Sequence, residues 1–380
     1  MELVPLYAIA LLLWILSMIR CLHYMKLGNM AKGTQTHADA IPPVSIIMTT
    51  HNQESLLREK LPVLLAQEYP NDYEIIVVDI SSSDETIPLL ESLEEEYHHL
   101  RHTATPATAR DISLQRLALT LGIKAADNEW LVLLSPDCNP SGSEWLSNLC
   151  ASCTPEKDAV QAFVHYKEVH GWNAHKWQFM KLWQQMLWIP FNEHHAPYRS
   201  DGSCLCYRRS KFLEHQGFAS HANLIAGAEE LMVNHNVKSG HFTTALTPLS
   251  IATQDAPHSD HHWRQDQVFF METRQYMRHS WLYRIWYACL VLLQLIFNMV
   301  FIPFAIWHYP NYYVMAGFAF LWLIHLLTRD YCFNHTAKAL GAKTYHFTLP
   351  LMVNLVPLWD ITAYLHWKFS SKQTFRKKFI

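Results

Sequence analysis

Three apolar runs, each stopping at a short polar turn, restrict the fold more than any other feature of this chain. The first is Val44-Ser45-Ile46-Ile47-Met48-Thr49-Thr50-His51-Asn52. The second runs from Glu74 through Ile75-Ile76-Val77-Val78-Asp79 into the turn Ile80-Ser81-Ser82-Ser83-Asp84-Glu85-Thr86. The third is Trp130-Leu131-Val132-Leu133-Leu134-Ser135-Pro136-Asp137. Short apolar runs bounded by turn residues read as buried strands, here over 44–49, 74–79 and 130–135. Helical spacing fills the gaps at about 53–67, 84–97 and 108–126, with Asn52 and Asp84 placed as caps. Residues 159–169 read as a further strand. Strands alternating with helices of this length predict an α/β fold with a parallel, doubly wound sheet. Ligands of such sheets bind where the carboxyl ends of the strands meet polar loops.

Apolar stretches bracket this region. Residues 3–19 are apolar apart from one Ser, and Arg20, Lys26 and Lys32 follow. Charge after rather than before the stretch predicts an uncleaved anchor with its N-terminus outside. The reading is an anchor over 1–25, a linker over 26–43 and a soluble domain over 44–270. Two transmembrane helices follow within 281–328, at 286–307 and 311–328, separated by His308-Tyr309-Pro310. Residues 345–367 contain Pro350, Asn354, Pro357 and Asp360, a costly set for a lipid-facing span. Basic residues flank that stretch on both sides, including the tail at 368–380. The positive-inside tendency then favours a re-entrant or interfacial segment over a crossing.

Net charge of −3 predicts no bulk attraction to nucleic acid. Half the residues are hydrophobic and Gly numbers only 11, which excludes a disordered or fibrous chain. Cys150-Ala151-Ser152-Cys153 and Cys204-Leu205-Cys206 raise the question of zinc, but the second spacing is poor for tetrahedral ligation. Ordinary reduced cysteines are the preferred reading. The aromatic run at 172–191 suits either core packing or an interfacial helix.

Several polar residues carry candidate chemistry. Asp79 and Asp84 flank a serine-rich turn, where carboxylates accept hydrogen bonds from a ribose or base; Asp84 also suits a helix cap. Asp137 with a diphosphate is a sufficient ligand set for Mg²⁺ or Mn²⁺, although an Asp in a surface turn looks the same. Glu229 and Glu230 follow Gly227-Ala228 and offer a general base for an attacking hydroxyl, or simply acids at a helix N-terminus. Trp263 can stack on a sugar face and Arg264 can hold phosphate oxygens. The His residues at 258–262 read as a solvated loop.

Taken in order, these pieces resemble a membrane-associated family 2 glycosyltransferase of the A-type fold, in its cellulose-synthase-like and poly-N-acetylglucosamine-synthase-like branch. The resemblance covers residues 44–270 and the flanking anchors. It implies donor-nucleotide contacts at Thr49, Thr50, Asn52, Asp79, Asp84 and Lys124, and a metal at Asp137. It also implies a base at Glu229 or Glu230, an acceptor-side loop at 197–207, and acceptor or diphosphate contacts at Trp263, Arg264 and Gln265. Four positions depart from the family pattern. Ile80 stands where a base-binding Asp is expected, Ser135 replaces the first metal-motif acid, Ala228-Glu229 replaces Glu-Asp, and the Gln-x-x-Arg-Trp order is missing. The expected function is inverting, Mg²⁺- or Mn²⁺-dependent transfer from a nucleotide-sugar to a lipid-linked or glycan acceptor. It would take place on the cytoplasmic face of the inner membrane, with polysaccharide-synthesis subunits as possible partners. The alternative is a catalytically silent subunit of such a complex.

Overall fold

The computed structural model describes residues 4–33, 41–106, 113–222, 224–278 and 280–371. Two helices, α1 (Val4–Ser17) and α2 (Ile19–Gly33), lead in. The domain then runs β1 (Val44–Thr50), α3 (Glu54–Leu65), β2 (Tyr73–Asp79), α4 (Thr86–Glu96), β3 (Leu100–Ala104), α5 (Leu114–Ala125) and β4 (Trp130–Leu134). Next come β5 (Cys138–Pro140), α6 (Trp145–Cys150), β6 (Ala159–Ala162), β7 (Val164–Tyr166), α7 (Trp172–Asn192), β8 (Cys204–Arg208) and α8 (Arg209–Glu214). The remainder is α9 (Ala228–Asn236), β9 (Phe242–Ala245), β10 (Ala252–Gln254), α10 (Asp260–Thr273), α11 (Ser280–Trp307), α12 (Tyr312–Ala339) and α13 (Leu349–Phe369).

Among the described residues the main sheet has the order β3-β2-β1-β4-β8-β6-β9. Its first four strands are parallel, and β8 then runs antiparallel to both β4 and β6. Successive residues of the parallel strands face opposite sides, as the period of two requires. Ile47, Ile76, Leu131 and Leu133 join one core, while Ile46, Val77, Val132 and Leu134 join the other. Burial on both faces explains why these strands read as unbroken apolar runs. Gly122 lets α5 lie close on the sheet, because a Cβ there would come within 2.6 Å of Ile47 Cγ2.

Several boundaries differ from expectation. The predicted strand at 159–169 is two short strands, β6 in the main sheet and β7 in a second sheet of order β5-β10-β7. Residues 26–33, expected to begin a linker, continue α2, which packs on α12 with Thr336 Oγ1 donating to the Tyr24 carbonyl at 2.7 Å. Residues 34–40 of that linker and 107–112 of the predicted helix lie outside the described residues, as does most of the basic tail, 372–380. The aromatic run became α7, whose Trp177, Phe179, Trp183 and Trp188 are buried. Core packing therefore claims most of it, between the sheet and the apolar helices.

Among the described residues, three helical stretches are long and apolar enough to cross a membrane: Leu11–Lys32, Ser280–Met299 and Tyr312–Ala339. Most of the 345–367 segment lies in α13 (Leu349–Phe369), one continuous helix preceded by a turn at 346–348. It lies against α10, where Trp367 Nε1 donates to Glu272 Oε2 at 2.8 Å, and against α11, where Tyr287 Oη donates to Asp360 Oδ2 at 2.5 Å.

Candidate active site

Register brings the first site residues together. Thr50 pairs with Asp79 across the carboxyl ends of β1 and β2. The turns beyond them are knitted to each other. Asn52 takes a left-handed backbone (φ 51°) and its side-chain oxygen accepts from the Ser83 amide at 2.7 Å. Its own amide donates to Ser82 Oγ at 2.8 Å. Asn52 is therefore not the cap of α3. That role passes in part to Asp84, which accepts from the Glu54 amide at 3.2 Å and the Thr86 amide at 3.1 Å and so serves two helix starts. Hydrogen bonds around Thr86 hold the Asp84 carboxyl below its ordinary range. Asp79 is fully buried, and its carboxylate accepts from the Ser82 amide at 2.9 Å and from the Ser82 hydroxyl. It shapes the turn rather than facing outward. Thr49 sits one residue earlier, at the partly exposed edge of β1.

Lys124 is not part of this group. It is in the last turn of α5, and Arg209 Nη2 donates to its carbonyl at 3.3 Å. Arg208 pairs with Trp130 at the start of β4, so Lys124 lies at the amino end of the parallel strands. A helix running back across a sheet ends where the next strand begins, which puts its last turn at the end opposite the turns after β1 and β2.

Asp137 lies just beyond β4, at the same end of the sheet as Thr50 and Asp79. Its Oδ2 accepts from Gln254 Nε2 at 2.9 Å, while Oδ1 is buried with no hydrogen-bond partner among the described residues. A buried carboxylate oxygen left in that state fits a cation ligand. Around it runs a polar network that the sequence did not reveal. Gln254 Oε1 accepts from Lys181 Nζ and, at 3.0 Å, from Ser203 Oγ. Lys181 in turn pairs with Asp201 Oδ2 at 3.1 Å. Burial opposes both charges, yet each sustains the other: the Asp201 carboxyl stays below its usual range and the Lys181 ammonium above its own. These side chains line a cavity of about 200 Å³ together with Trp263, Asp266 and Gln267. Desolvation pushes the Asp266 carboxyl up to about 6, with Asp137 adding repulsion and His262 and Lys181 opposing it. Nothing in the sequence singles out Lys181, because the same aromatic run also carries Lys176, Gln178, Gln184 and Gln185.

The 258–262 stretch, expected as a loop, enters α10 at Asp260. Ser259 caps α10, its hydroxyl accepting from the His262 amide at 3.3 Å. Helical spacing then puts Trp263, Asp266 and Gln267 on the cavity face. Arg264 is exposed and tied to Asp260 four residues earlier, and Gln265 is exposed as well. Of the three residues expected here, only Trp263 reaches the cavity.

Glu229 and Glu230 open α9 after Gly227, whose φ of 76° is reserved for glycine and whose Cβ would strike Thr273 Cγ2 at 2.3 Å. Arg116 pins the preceding loop by donating to the carbonyls of His221 and Ala226, each at 2.6 Å. Glu230 pairs with Arg199 Nε at 3.1 Å. The Glu229 carboxylate packs on Gly202, where a Cβ would lie 3.4 Å from Oε2. Burial raises both carboxyls above the usual range. Neither acid lines the 200 Å³ cavity itself; Arg199 and Asp201, beside them, do.

A larger cavity of about 570 Å³ shares Gln184, Trp188, Arg199 and Gln267 with the first. It extends between α10, α11 and α13 and carries Arg274 and Arg284 among aromatic side chains.

Sheet order, the crossing of β8 and the acid after β4 define an A-type glycosyltransferase fold. Residues 45–212 match the sequence model of glycosyl transferase family 2, and this region is a family 2 glycosyltransferase domain. Over 84 residues the chain is 31% identical to a probable glycosyltransferase, YdaM, of Bacillus subtilis. That match covers 22% of this chain and 20% of the relative, so the chain spans about a fifth of the curated relative it matches. The mannosyltransferase PcManGT from Pyrobaculum calidifontis, in complex with GDP-Man and Mn²⁺, is similar with a TM-score of 0.53 at 17% identity. The similarity covers 95% of this chain and 98% of that one. TarS 1-349 of S. aureus is more distant, at a TM-score of 0.41 and 14% identity over 89% and 94% of the two chains.

Proposed function

We propose that this chain is a membrane-anchored, inverting glycosyltransferase that moves a sugar from a nucleotide-sugar to a lipid-linked or polysaccharide acceptor. The observation that carries the reading is the unpartnered, buried Oδ1 of Asp137 at the carboxyl end of β4. In the similar mannosyltransferase the complex contains Mn²⁺ and GDP-Man, which supports a divalent cation and a nucleotide-sugar here. Mg²⁺ or Mn²⁺ held by Asp137 supplies positive charge to the departing diphosphate when bound. The β1 and β2 turns cradle the nucleotide, and Lys181 and Asp201 fix Gln254 so that Asp137 keeps its orientation. Glu229, raised by burial, takes the proton of the attacking hydroxyl. The acceptor enters through the 570 Å³ cavity, whose aromatic walls and arginines suit an amphiphile with an anionic head.

Nucleotide-sugars are cytoplasmic, so the domain faces that side of the inner membrane. α13 lies along the interface without crossing. A donor-hydrolysis screen of the purified chain with and without Mn²⁺ tests the proposal. Turnover of one nucleotide-sugar that requires the cation supports it. No turnover with any donor, together with blocked glycan export when the gene is lost, transfers the chain to the silent-subunit class.

A further inference from the structure

The fold assembles a second chemical cluster that this reading does not use. Cys150 ends α6, Cys153 lies in the turn that follows, and Cys206 sits mid-strand in β8. Their sulfur atoms all lie within 4.8 Å of one another, and the three residues are buried and free of disulfides. Spacing in sequence made the Cys204–Cys206 pair look unsuitable. In the fold only Cys206 of that pair joins, and it meets a Cys-x-x-Cys pair more than 50 residues away in sequence.

We propose that Cys150, Cys153 and Cys206 form a structural zinc site that staples α6 to β8. Thiolates on a tetrahedral Zn²⁺ sit about 2.3 Å from the metal and therefore roughly 3.8 Å apart, so a small closure of the present arrangement brings all three sulfurs to ligand distance. The three sulfurs fill three of the four positions and a water fills the fourth; the Tyr69 hydroxyl, on the same side as Cys150, donates to the Pro42 carbonyl. Arg208 holds the turn after Cys153 by donating to the carbonyls of Lys157 at 2.7 Å and of Thr154 and Pro155 at 3.1 Å each. It also places a positive charge near three thiolates whose complex with Zn²⁺ is anionic. A Cys150–Cys153 disulfide would use two of the three sulfurs; a metal uses all three. Packing as small apolar side chains accounts for the burial of each cysteine, as it does for Cys138 and Cys204 in the same core; the metal reading rests on the three sulfurs facing one point.

The site has a structural consequence. β8 begins directly after Asp201-Gly202-Ser203, the segment that holds Lys181 and Gln254. Fixing β8 to α6 therefore fixes one wall of the 200 Å³ cavity, independently of the cation at Asp137.

The full-length chain, purified in detergent without chelator, tests this by elemental analysis. Zinc is expected at about one per chain in the wild type and in Cys204→Ser, and at less than about a tenth of that in Cys206→Ser. Loading the metal-free wild type with Co²⁺ is expected to give a thiolate-to-cobalt charge-transfer band, a readout that does not depend on any variant folding. Wild-type chain that carries no zinc and gives no such band overturns the proposal. A Cys150–Cys153 disulfide found by mass spectrometry in freshly purified protein overturns it equally.

Discussion

The two halves of the main sheet are built on different principles. The parallel half, β3-β2-β1-β4, is held by aliphatic side chains on both faces and by turns that bond locally or to the next turn. The half beyond β4 also has apolar faces, but where it adjoins the carboxyl end of β4 charged and amide side chains meet: Lys181 from α7, Asp201 from the loop before β8, and Gln254 from β10. The first half presents a surface on which a nucleotide can lie. The second contains the groups that can set charge around Asp137. A substitution in the first half should act as a packing change, and one in the second as a change in electrostatics.

The largest effect expected is on the second half. Lys181→Met removes the cation from the partly buried Asp201, which keeps donors from Ser203 and Gln185, and should cost about 1.5 to 3 kcal/mol of stability in chemical denaturation. Lys181→Met combined with Asp201→Asn should recover much of that loss, whereas Ile46→Val in the parallel half should cost only about 1 kcal/mol. Equal losses for the two single substitutions would erase the distinction between the halves.

Glu229→Gln comes next. It should keep donor binding and lower transfer by about 100-fold, the lower range for loss of a general base. Retained activity, with the loss appearing in Asp266→Asn instead, would move the base to α10.

A smaller effect is expected from pH. Asp266 titrates at about 6 beside Asp137, so it is neutral below that value and adds negative charge above it. Mn²⁺-dependent nucleotide affinity should therefore rise as pH increases through about 6, and Asp266→Asn should flatten that rise. The smallest expected effect is that of Arg264→Ala. Its exposed pair with Asp260 should change stability by less than about 0.5 kcal/mol and leave donor affinity unchanged.

The same division explains what was legible before the structure. Strands β1, β2 and β4 announce themselves because residues buried on both faces leave continuous apolar runs. Asp137 stands out in the sequence because it follows the end of such a strand. Asn52 was misplaced as a cap because its partner, Ser83, is 31 residues away. Lys124 was drawn into the site by likeness of its neighbourhood, although a helix returning across the sheet ends on the far side. On α10 the order of letters suggested Arg264 and Gln265, while the helical period selects Trp263, Asp266 and Gln267. Asp201 and Gln254 had no local signal at all, since what defines them is a partner on another element.

Asp137 is the point where both halves meet, and calorimetric titration of a nucleoside diphosphate in the presence of Mn²⁺ tests it most directly. The wild type should bind with an affinity that falls sharply when Mn²⁺ is omitted, and Asp137→Asn should show the weak, Mn²⁺-independent binding alone. Equal Mn²⁺-dependent affinity in both proteins would contradict the assignment and move the cation away from this strand end.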